Sequence, residues 1–383
     1  MKKILALGAL AACMQPALAV DIKAGDWTVA VGGNVNAYYT FVDCNGADVG
    51  GLALGGQALG CGGKDSRTTI GNGLLPSALV TSAATTQGGY DIKALVGIYV
   101  HTATDSAISQ NSEVDVRQAF FTFGNPGLGT FKLGRDNGLF GANAILNDMT
   151  LMGVGAPVQA TQRGRVALGH IGAGYTYFGQ YGQIVYTSPT LGTGFTVDVG
   201  LMSPVADTPV IAGSAYSADS TPQYQAQLTF KQDELKAWIG GKSQRLEPEL
   251  PGVPDLTLNG LEAGVLYQAG PAGLLLNVQR GTGLGILADA DQGRVRTTHF
   301  LAQGTYQVNE KLKLGLSYGL SENDHNALGT GGLESNQNFT IGAYYSLNSA
   351  ITLVAEGGQT RSEGFGSGSD KMNGIALGGI ISF

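Results

Sequence analysis

The chain has 383 residues and a formal net charge of −7, and it combines few charged residues (13%) with many apolar ones (43%) and 61 glycines. A disordered chain would be more charged and less apolar, and a soluble enzyme would carry about 25% charged residues. The acidic balance also argues against a nucleic-acid partner. Much of the folded surface is therefore expected to face something other than bulk water.

Residues 1–19 have the features of a secretory signal peptide. Lys2 and Lys3 precede a short apolar stretch, and Ala17-Leu18-Ala19 is a small-x-small cleavage site, which places the mature start at Val20. The stretch Leu10-Ala11-Ala12-Cys13 offers an alternative lipoprotein cleavage site, although the segment before it is short even for a signal peptide. Both interpretations predict that the protein is exported.

The cysteines that follow the signal peptide are Cys44 and Cys61, and both lie in one Gly-rich segment. An even pair in an exported protein is typical of a disulfide, with two free thiols as the alternative. We expect Cys44 and Cys61 to be bonded to each other.

The hydropathy pattern favours a membrane protein built from strands. After residue 19 the chain contains no run of about 18 apolar residues, which a transmembrane helix would require. Apolar and polar residues instead alternate, as in residues 27–41 and 311–321. This period is expected for strands with one face towards lipid and the other towards water. Because only helices and closed barrels can span a bilayer, the sequence predicts an all-β, transmembrane antiparallel β-barrel.

Short turns rich in Gly, Pro and Asn alternate with longer loops along residues 20–383, with no linker between them. Their positions divide the chain into 16 strands within a single barrel domain. The alternation is typical of bacterial outer-membrane barrels, whose periplasmic turns are short and whose outer loops are long. The longest loop, about residues 136–182, exceeds the length at which a loop normally needs a function.

Residues 113–136 resemble the Gram-negative trimeric porin family. Arg117-Gln118-Ala119, and Gly129-Thr130 through Leu133-Gly134-Arg135, match an Arg-Gln-Ala strand and a Gly-Thr-x-x-Leu-Gly-Arg strand that lead into the family's constriction loop. The last strand, which ends at Phe383, is similar to the family's assembly signal. The resemblance implies a homotrimer of sixteen-stranded barrels, each with its third outer loop, here 136–182, folded into the lumen. Loop 136–182 lacks the Pro-Glu-Phe-Gly-Gly stretch of many general porins, which leaves the pore lining open.

The resemblance implies a water-filled outer-membrane channel for passive diffusion of small hydrophilic solutes and ions, in contact with outer-membrane lipid and lipopolysaccharide. Charged side chains at the constriction set the selectivity of such channels. Lys236 and Lys242 also lie on polar faces, and a basic lining would favour anions or small organic acids. Arg117 shares a strand face with Phe121 unless a β-bulge intervenes. The predicted lining and selectivity residues are Arg117, Lys132, Arg135, Asp136, Asp148, Arg296 and Lys313.

An outer-membrane barrel enzyme and a surface adhesin without an open pore are the alternative functions. The histidines are scattered without metal-ligand spacing, and Gly241-Lys242-Ser243 lacks the upstream glycine of a phosphate-binding loop. An adhesin would show internal repeats of fixed period, which the sequence does not contain. We therefore predict no catalytic residues, no metal site and no cofactor.

Overall fold

The computed structural model describes residues 20–46, 49–104, 108, 114–157, 167–204, 216–249, 251–326, 332–366 and 368–383. The predicted signal peptide lies outside these ranges. None of the helices in the described ranges is long and apolar enough to cross a membrane. One α-helix, α1, spans Ala142–Asn147, a π-helical turn spans Gln57–Cys61 and a 3-10 turn spans Met149–Met152. The strands are β1 Val20–Ala24, β2 Trp27–Gly46, β3 Ser66–Gly71, β4 Ser77–Gln87, β5 Tyr90–Val100, β6 Asp115–Asn125, β7 Gly129–Asn137, β8 Gln180–Thr187, β9 Phe195–Met202, β10 Tyr216–Ala218, β11 Gln223–Gln232, β12 Leu235–Pro248, β13 Leu256–Ala269, β14 Ala272–Thr282, β15 Arg296–Gln307, β16 Leu312–Asn323, β17 Leu333–Ser346, β18 Ile351–Gly364 and β19 Gly368–Ser382.

These strands close into an antiparallel barrel of 16 strands, as the sequence predicted. The ring closes where β19 pairs with β2, with Ile375 opposite Phe41. The short segments β1, β3 and β10 extend barrel strands without adding to the number of strands. β1 pairs with β2 beyond the end of β19, β3 precedes β4 along β2, and β10 precedes β11 along β12.

Alternation along each strand separates an outward apolar face from an inward polar one. On β16, Leu314 and Leu316 are 43% and 47% exposed, whereas Ser317 and Ser321 are buried inside the barrel. The exposed apolar rows match the lipid-facing band of a membrane barrel. The residues that decide the function therefore lie on the inward positions and in the loops that reach them.

Three outer loops fold into the barrel, where the sequence predicted only one. They are loop 1 (residues 47–65, between β2 and β3), loop 3 (residues 138–179, between β7 and β8) and loop 6 (residues 283–295, between β14 and β15). The described parts of these loops share one buried apolar cluster. Burial of an apolar side chain stabilises by about 1.5–3 kcal/mol, which favours the folded-in position of each loop. Among the loop residues of this cluster are Leu52, Leu54, Ile145, Tyr175, Ile286 and Leu287.

Loop 1 is tied to the barrel wall by covalent and polar contacts. The Cys44–Cys61 disulfide joins β2 to the π-helical turn, as predicted. The amide of Leu54 donates to Asn336 Oδ1 at 3.1 Å, and the amide of Gly55 donates to Ser362 Oγ at 2.9 Å. Loop 1 therefore reaches the inner side of β17 and β18.

Candidate functional site

A β-bulge on β6 turns Arg117 to the inside. The β5–β6 register shifts between Gly97 and Tyr99, so that Val116 and Arg117 together oppose a single residue. Val116 is 38% exposed on the outside, whereas Arg117 is 7% exposed. The bulge resolves the conflict between Arg117 and Phe121, which lies on the outward face.

Polar and aromatic contacts hold the Arg117 guanidinium in place. Its Nε atom donates to Asp115 Oδ2 at 2.6 Å, and its central carbon lies 5.6 Å from the centroid of the Tyr99 ring. The Tyr99 hydroxyl donates to Gln118 Oε1, and Gln118 Nε2 donates to Asp136 Oδ1 at 2.8 Å. A continuous chain of contacts thus links β5, β6 and β7 on the inner wall.

Lys132 and Asp136 form an ion pair within β7. They are four residues apart and therefore share the inward face, and Lys132 Nζ lies 2.6 Å from Asp136 Oδ2. The ammonium of Lys132 also lies 5.6 Å from the centroid of the Phe120 ring. Because Asp136 is engaged by both Lys132 and Gln118 and is 1% exposed, a passing solute cannot reach its carboxylate.

Two predicted lining residues lie on the outside of the barrel. Arg135 shares the outward face with Phe131 and Leu133, and its Nη1 lies 3.5 Å from the backbone oxygen of Val116. Arg296 alternates with buried inward residues of β15, and its side chain is 55% exposed. Both assignments to the pore lining are corrected, because a motif match or a polar neighbourhood identifies a strand without fixing which face each residue occupies.

Asp148 lies inside the barrel but within the packed body of loop 3. Its carboxylate accepts from the Tyr175 hydroxyl at 2.6 Å, contacts His170 Nδ1 at 3.0 Å and accepts from the amide of Thr150 at 2.8 Å. Burial alone would raise the pKa of Asp148, but the charge and hydrogen bond of His170, together with the Tyr175 and Thr150 donors, lower it. Asp148 therefore organises the loop from within.

Lys313 points inward from β16 and lies over an aromatic ring. Its ammonium is 5.2 Å from the centroid of the Tyr344 ring, on the neighbouring strand β17. Across the described ranges, no carboxylate forms an ion pair with it. Of the predicted lining residues that face the inside of the barrel, Lys313 presents the least compensated charge.

Further charged side chains also face the inside of the barrel. Lys236 donates to Asn143 Oδ1 of α1, and Lys242 forms an ion pair with Asp289 of loop 6. Lys93 shares the inward face of β5, opposite Thr122, and was missed by the sequence analysis. Asp198, which accepts from the Thr187 hydroxyl at 2.5 Å, was missed as well. Strict alternation from the apolar residues of each strand would have placed both on the inside.

Wall side chains hold loop 3 by hydrogen bonds to its backbone amides. Glu356 accepts from Val154 and Gly155, Glu262 accepts from Gly141, and Gln303 accepts from Met149. A single polar side chain in a strand carries no sequence signal for such a role, so these anchors were not predicted. In the described ranges, no group of three or more His, Cys, Asp or Glu side chains is placed to hold a metal ion.

Comparisons with known proteins show which family and which solved structures this chain is similar to. A family model for Gram-negative porins matches residues 6–364. No curated protein sequence matches the chain. The solved structure of the outer membrane channel DcaP of Acinetobacter baumannii has a TM-score of 0.71 and 17% identity, over 94% of this chain and 99% of that one.

Two further solved structures are similar at comparable identity. The anion-selective porin from Comamonas acidovorans has a TM-score of 0.66 and 16% identity, over 93% of this chain and 100% of that one. The trimer form of in-vitro folded OmpT, an outer membrane protein of Vibrio cholerae, has a TM-score of 0.54 and 15% identity, over 92% of this chain and 99% of that one. At these identities the likeness shows a shared fold.

Proposed function

Because the chain belongs to the Gram-negative porin family, whose members form outer-membrane channels for passive diffusion of small hydrophilic solutes, we propose that this channel favours small anions, including organic acids, over cations. The observation that carries the proposal is a difference in accessibility. In the described ranges, the inward charges that water reaches without a carboxylate ion-pair partner include three lysines and Arg67, which are all cations, whereas the inward carboxylates are mostly buried and engaged. The family relationship also favours a channel over the enzyme and adhesin alternatives.

The accessible cations are distributed over separate parts of the wall. Lys93 on β5, Lys236 on β12 and Lys313 on β16 are partly exposed inward residues. In the described part of the chain, none of them makes an ion pair with a carboxylate. Two opposite unit charges 4 Å apart attract each other by about 1–4 kcal/mol, depending on the effective dielectric constant. A difference of about 1.4 kcal/mol in interaction energy corresponds to a tenfold preference for the anion over the cation.

The acidic side chains of the interior are mostly withdrawn from the solute path. Asp136 is paired with Lys132, Asp148 is enclosed in loop 3, and Glu262 and Glu356 accept backbone amides. All four are less than 9% exposed. The more accessible Asp115 is neutralised by Arg117. A solute therefore meets lysine ammonium groups more directly than carboxylates.

We further infer that the protein acts as a homotrimer after removal of the signal peptide at residues 1–19. The likeness of residues 113–136 to trimeric porins supports the trimer, and the OmpT relative has a trimer form. The Ala17-Leu18-Ala19 site supports the cleavage. The similarity in fold to the anion-selective porin from Comamonas acidovorans also supports the proposed preference for anions.

Uptake into proteoliposomes tests the proposal. A small monoanionic organic acid, a monocation of the same size and a neutral solute are compared for the wild type and for Lys236→Gln/Lys313→Gln. We expect wild-type uptake of the anion to exceed that of the cation about tenfold, and the double variant to lose most of this ratio. The matched control is Lys371→Gln, an outward residue of β19. Equal or faster uptake of the cation by the wild type would overturn the proposal.

A further inference from the structure

The three loops that fold inward cover one side of the barrel interior and leave another side open. On the covered side, inward side chains of the wall accept hydrogen bonds from loop amides and are fully buried, as are Gln279, Ser321 and Asn336. On the open side, Ser82 of β4 and Leu95 of β5 also point inward but are only partly buried. The water-filled path therefore runs between the wall formed by β4 to β6 and the edge of the loops that faces it.

An apolar surface lies beside a lysine on this open wall. Leu95 stands two positions from Lys93 and therefore shares its inward face. Leu95 also stands directly opposite Phe120 on β6. Opposed residues have Cβ atoms about 4.5–5.5 Å apart, so the two side chains form one patch. Both are partly exposed, and inside the barrel the exposed part faces the water of the lumen.

A second apolar side chain stands beside a lysine on β12 and β13. Lys236 lies directly opposite Leu266, and both are partly exposed inward residues. The Lys236 ammonium donates to Asn143 of α1, and Leu266 packs against the same buried cluster as Leu146 of that helix. Lys236 and Leu266 therefore border the path where α1 approaches the wall.

The edge of loop 3 at and beyond α1 is apolar as well. Leu146, Leu151 and Met152 are partly exposed, whereas the neighbouring Ile145 and Met149 are buried. Single exposed apolar residues are ordinary on the outer surface of a protein. Here they occur inside a barrel, where polar residues are expected, and two of the accessible lysines stand next to such side chains. The lining therefore offers a cation and an apolar contact together.

We propose that, among anions, the channel favours those with an apolar body, such as short alkyl carboxylates and sulfonates, over hydroxylated anions of the same size and charge. This inference rests on the proposed preference for anions. At one site the anionic group approaches Lys93 while the alkyl part contacts Leu95 and Phe120. At the other site the corresponding residues are Lys236 and Leu266. A hydroxyl group in place of the alkyl end would lose hydrogen bonds to water without a gain from the leucines.

Two probes of equal size test the inference, propane-1-sulfonate and 2-hydroxyethanesulfonate. They have the same charge and the same number of non-hydrogen atoms, and they differ only in a methyl group in place of a hydroxyl group. Both stay ionised, so neither crosses the lipid bilayer as a neutral acid. The measurement is the zero-current potential of the channel in a planar bilayer, with one probe on each side and the same cation at equal concentration on both.

We expect the permeability of propane-1-sulfonate to exceed that of 2-hydroxyethanesulfonate about threefold. Complete burial of one methylene group corresponds to about a fourfold change in partition, and the contact with the leucines is less than complete.

Substitutions in the lining show whether the leucines cause this ratio. Leu95→Asn/Leu266→Asn replaces both by polar side chains of similar size, and we expect the ratio to fall close to one. Leu95→Asn alone should lose part of the ratio. The matched control is Ser82→Asn, which introduces the same side chain directly opposite Leu95 and should keep the wild-type ratio. Single-channel conductance in potassium chloride shows that each variant is folded and open.

A wild-type ratio of one or less would overturn the inference, because the path would then give no advantage to the methyl group. A ratio that falls equally in Ser82→Asn and in the double variant would also overturn it, because the leucines would then have no special role. Since both probes are anions, their ratio is separate from the preference for anions over cations. A cation-selective channel would contradict that preference, whereas an anion-selective channel with a ratio of one would contradict only the apolar contact.

Discussion

The carboxylate of Glu356 on β18 accepts a hydrogen bond from the amide of Val154 in loop 3, with a distance of 2.8 Å between Oε2 and the nitrogen. The same oxygen accepts from the amide of Gly155 at 2.9 Å, and Oε1 accepts from the Tyr344 hydroxyl at 2.6 Å. A Cβ atom added at Gly153 would lie 2.0 Å from Glu356 Oε1. The seating of loop 3 therefore depends on this carboxylate and on the absence of a side chain at position 153.

Gly153→Ala is expected to displace loop 3 from the wall. Overpacking of this kind costs about 1–3 kcal/mol, because the carboxylate or the loop must move. We predict a changed single-channel conductance and a lower temperature of heat modification on gels. Gly357→Ala is the control, since its added Cβ would lie 3.8 Å from the nearest heavy atom. A conductance equal to that of the wild type in Gly153→Ala would show that the position of loop 3 does not determine the conductance of the channel.

Arg117→Gln and Arg135→Gln form a matched pair on neighbouring strands. Arg117 faces the inside through the bulge, whereas Arg135 faces outward. We predict that Arg117→Gln lowers the preference for anions, because Asp115 loses its partner, and that Arg135→Gln leaves it unchanged. The measurement is the zero-current potential in a salt gradient. A shift in Arg135→Gln equal to that in Arg117→Gln would contradict the assigned faces.

Cys44→Ser/Cys61→Ser should loosen loop 1 while leaving the barrel closed. The disulfide spans 17 positions, and a loop of about that length contributes about 3 kcal/mol by restricting the unfolded chain. We predict a lower denaturant midpoint with unchanged β-strand content by circular dichroism. Reduction of the wild type with dithiothreitol in denaturant should give the same midpoint as the double variant. An unchanged midpoint would mean that the hydrogen bonds to Asn336 and Ser362 suffice to hold loop 1.

Phe383 is expected to contribute to assembly through the closing strands. Its backbone nitrogen donates to Gly33 O at 3.0 Å and its oxygen accepts from Gly33 N at 2.7 Å. A Cβ added at Gly33 would lie 2.8 Å from the Phe383 ring, which therefore covers this glycine. We predict that deletion of Phe383 lowers the yield of folded protein in outer membranes, measured by heat modifiability. Phe195→Ala, another outward aromatic, should retain the wild-type yield, and equal yields in both variants would count against the role.

The sequence was sufficient for the barrel, because the period of two in segments such as 311–321 follows directly from lipid on one side and water on the other. It was also sufficient for the disulfide between Cys44 and Cys61, because only one pairing was possible outside the signal peptide. The alternation is a local property of each strand, and the pairing of the cysteines has few alternatives.

The lining was harder to predict, because it depends on register and on loops. A bulge at Val116–Arg117 reverses the parity of the strand, and the parity conflict between Arg117 and Phe121 was compatible either with this bulge or with an inward phenylalanine. Arg135 was assigned from a motif, which does not encode the face. Loops 1 and 6 carry apolar residues such as Leu54 and Ile286, and that content in an outer loop was an available sign of inward folding.

The most direct test of the account is the zero-current potential of the wild-type channel in a planar bilayer under a potassium chloride gradient. Lysine ammonium groups that face the solute path, with the carboxylates buried, predict the sign of an anion-selective channel. A cation-selective potential would contradict the account, because it would show that the acidic side chains of the interior, and not Lys93, Lys236 and Lys313, dominate the field in the pore.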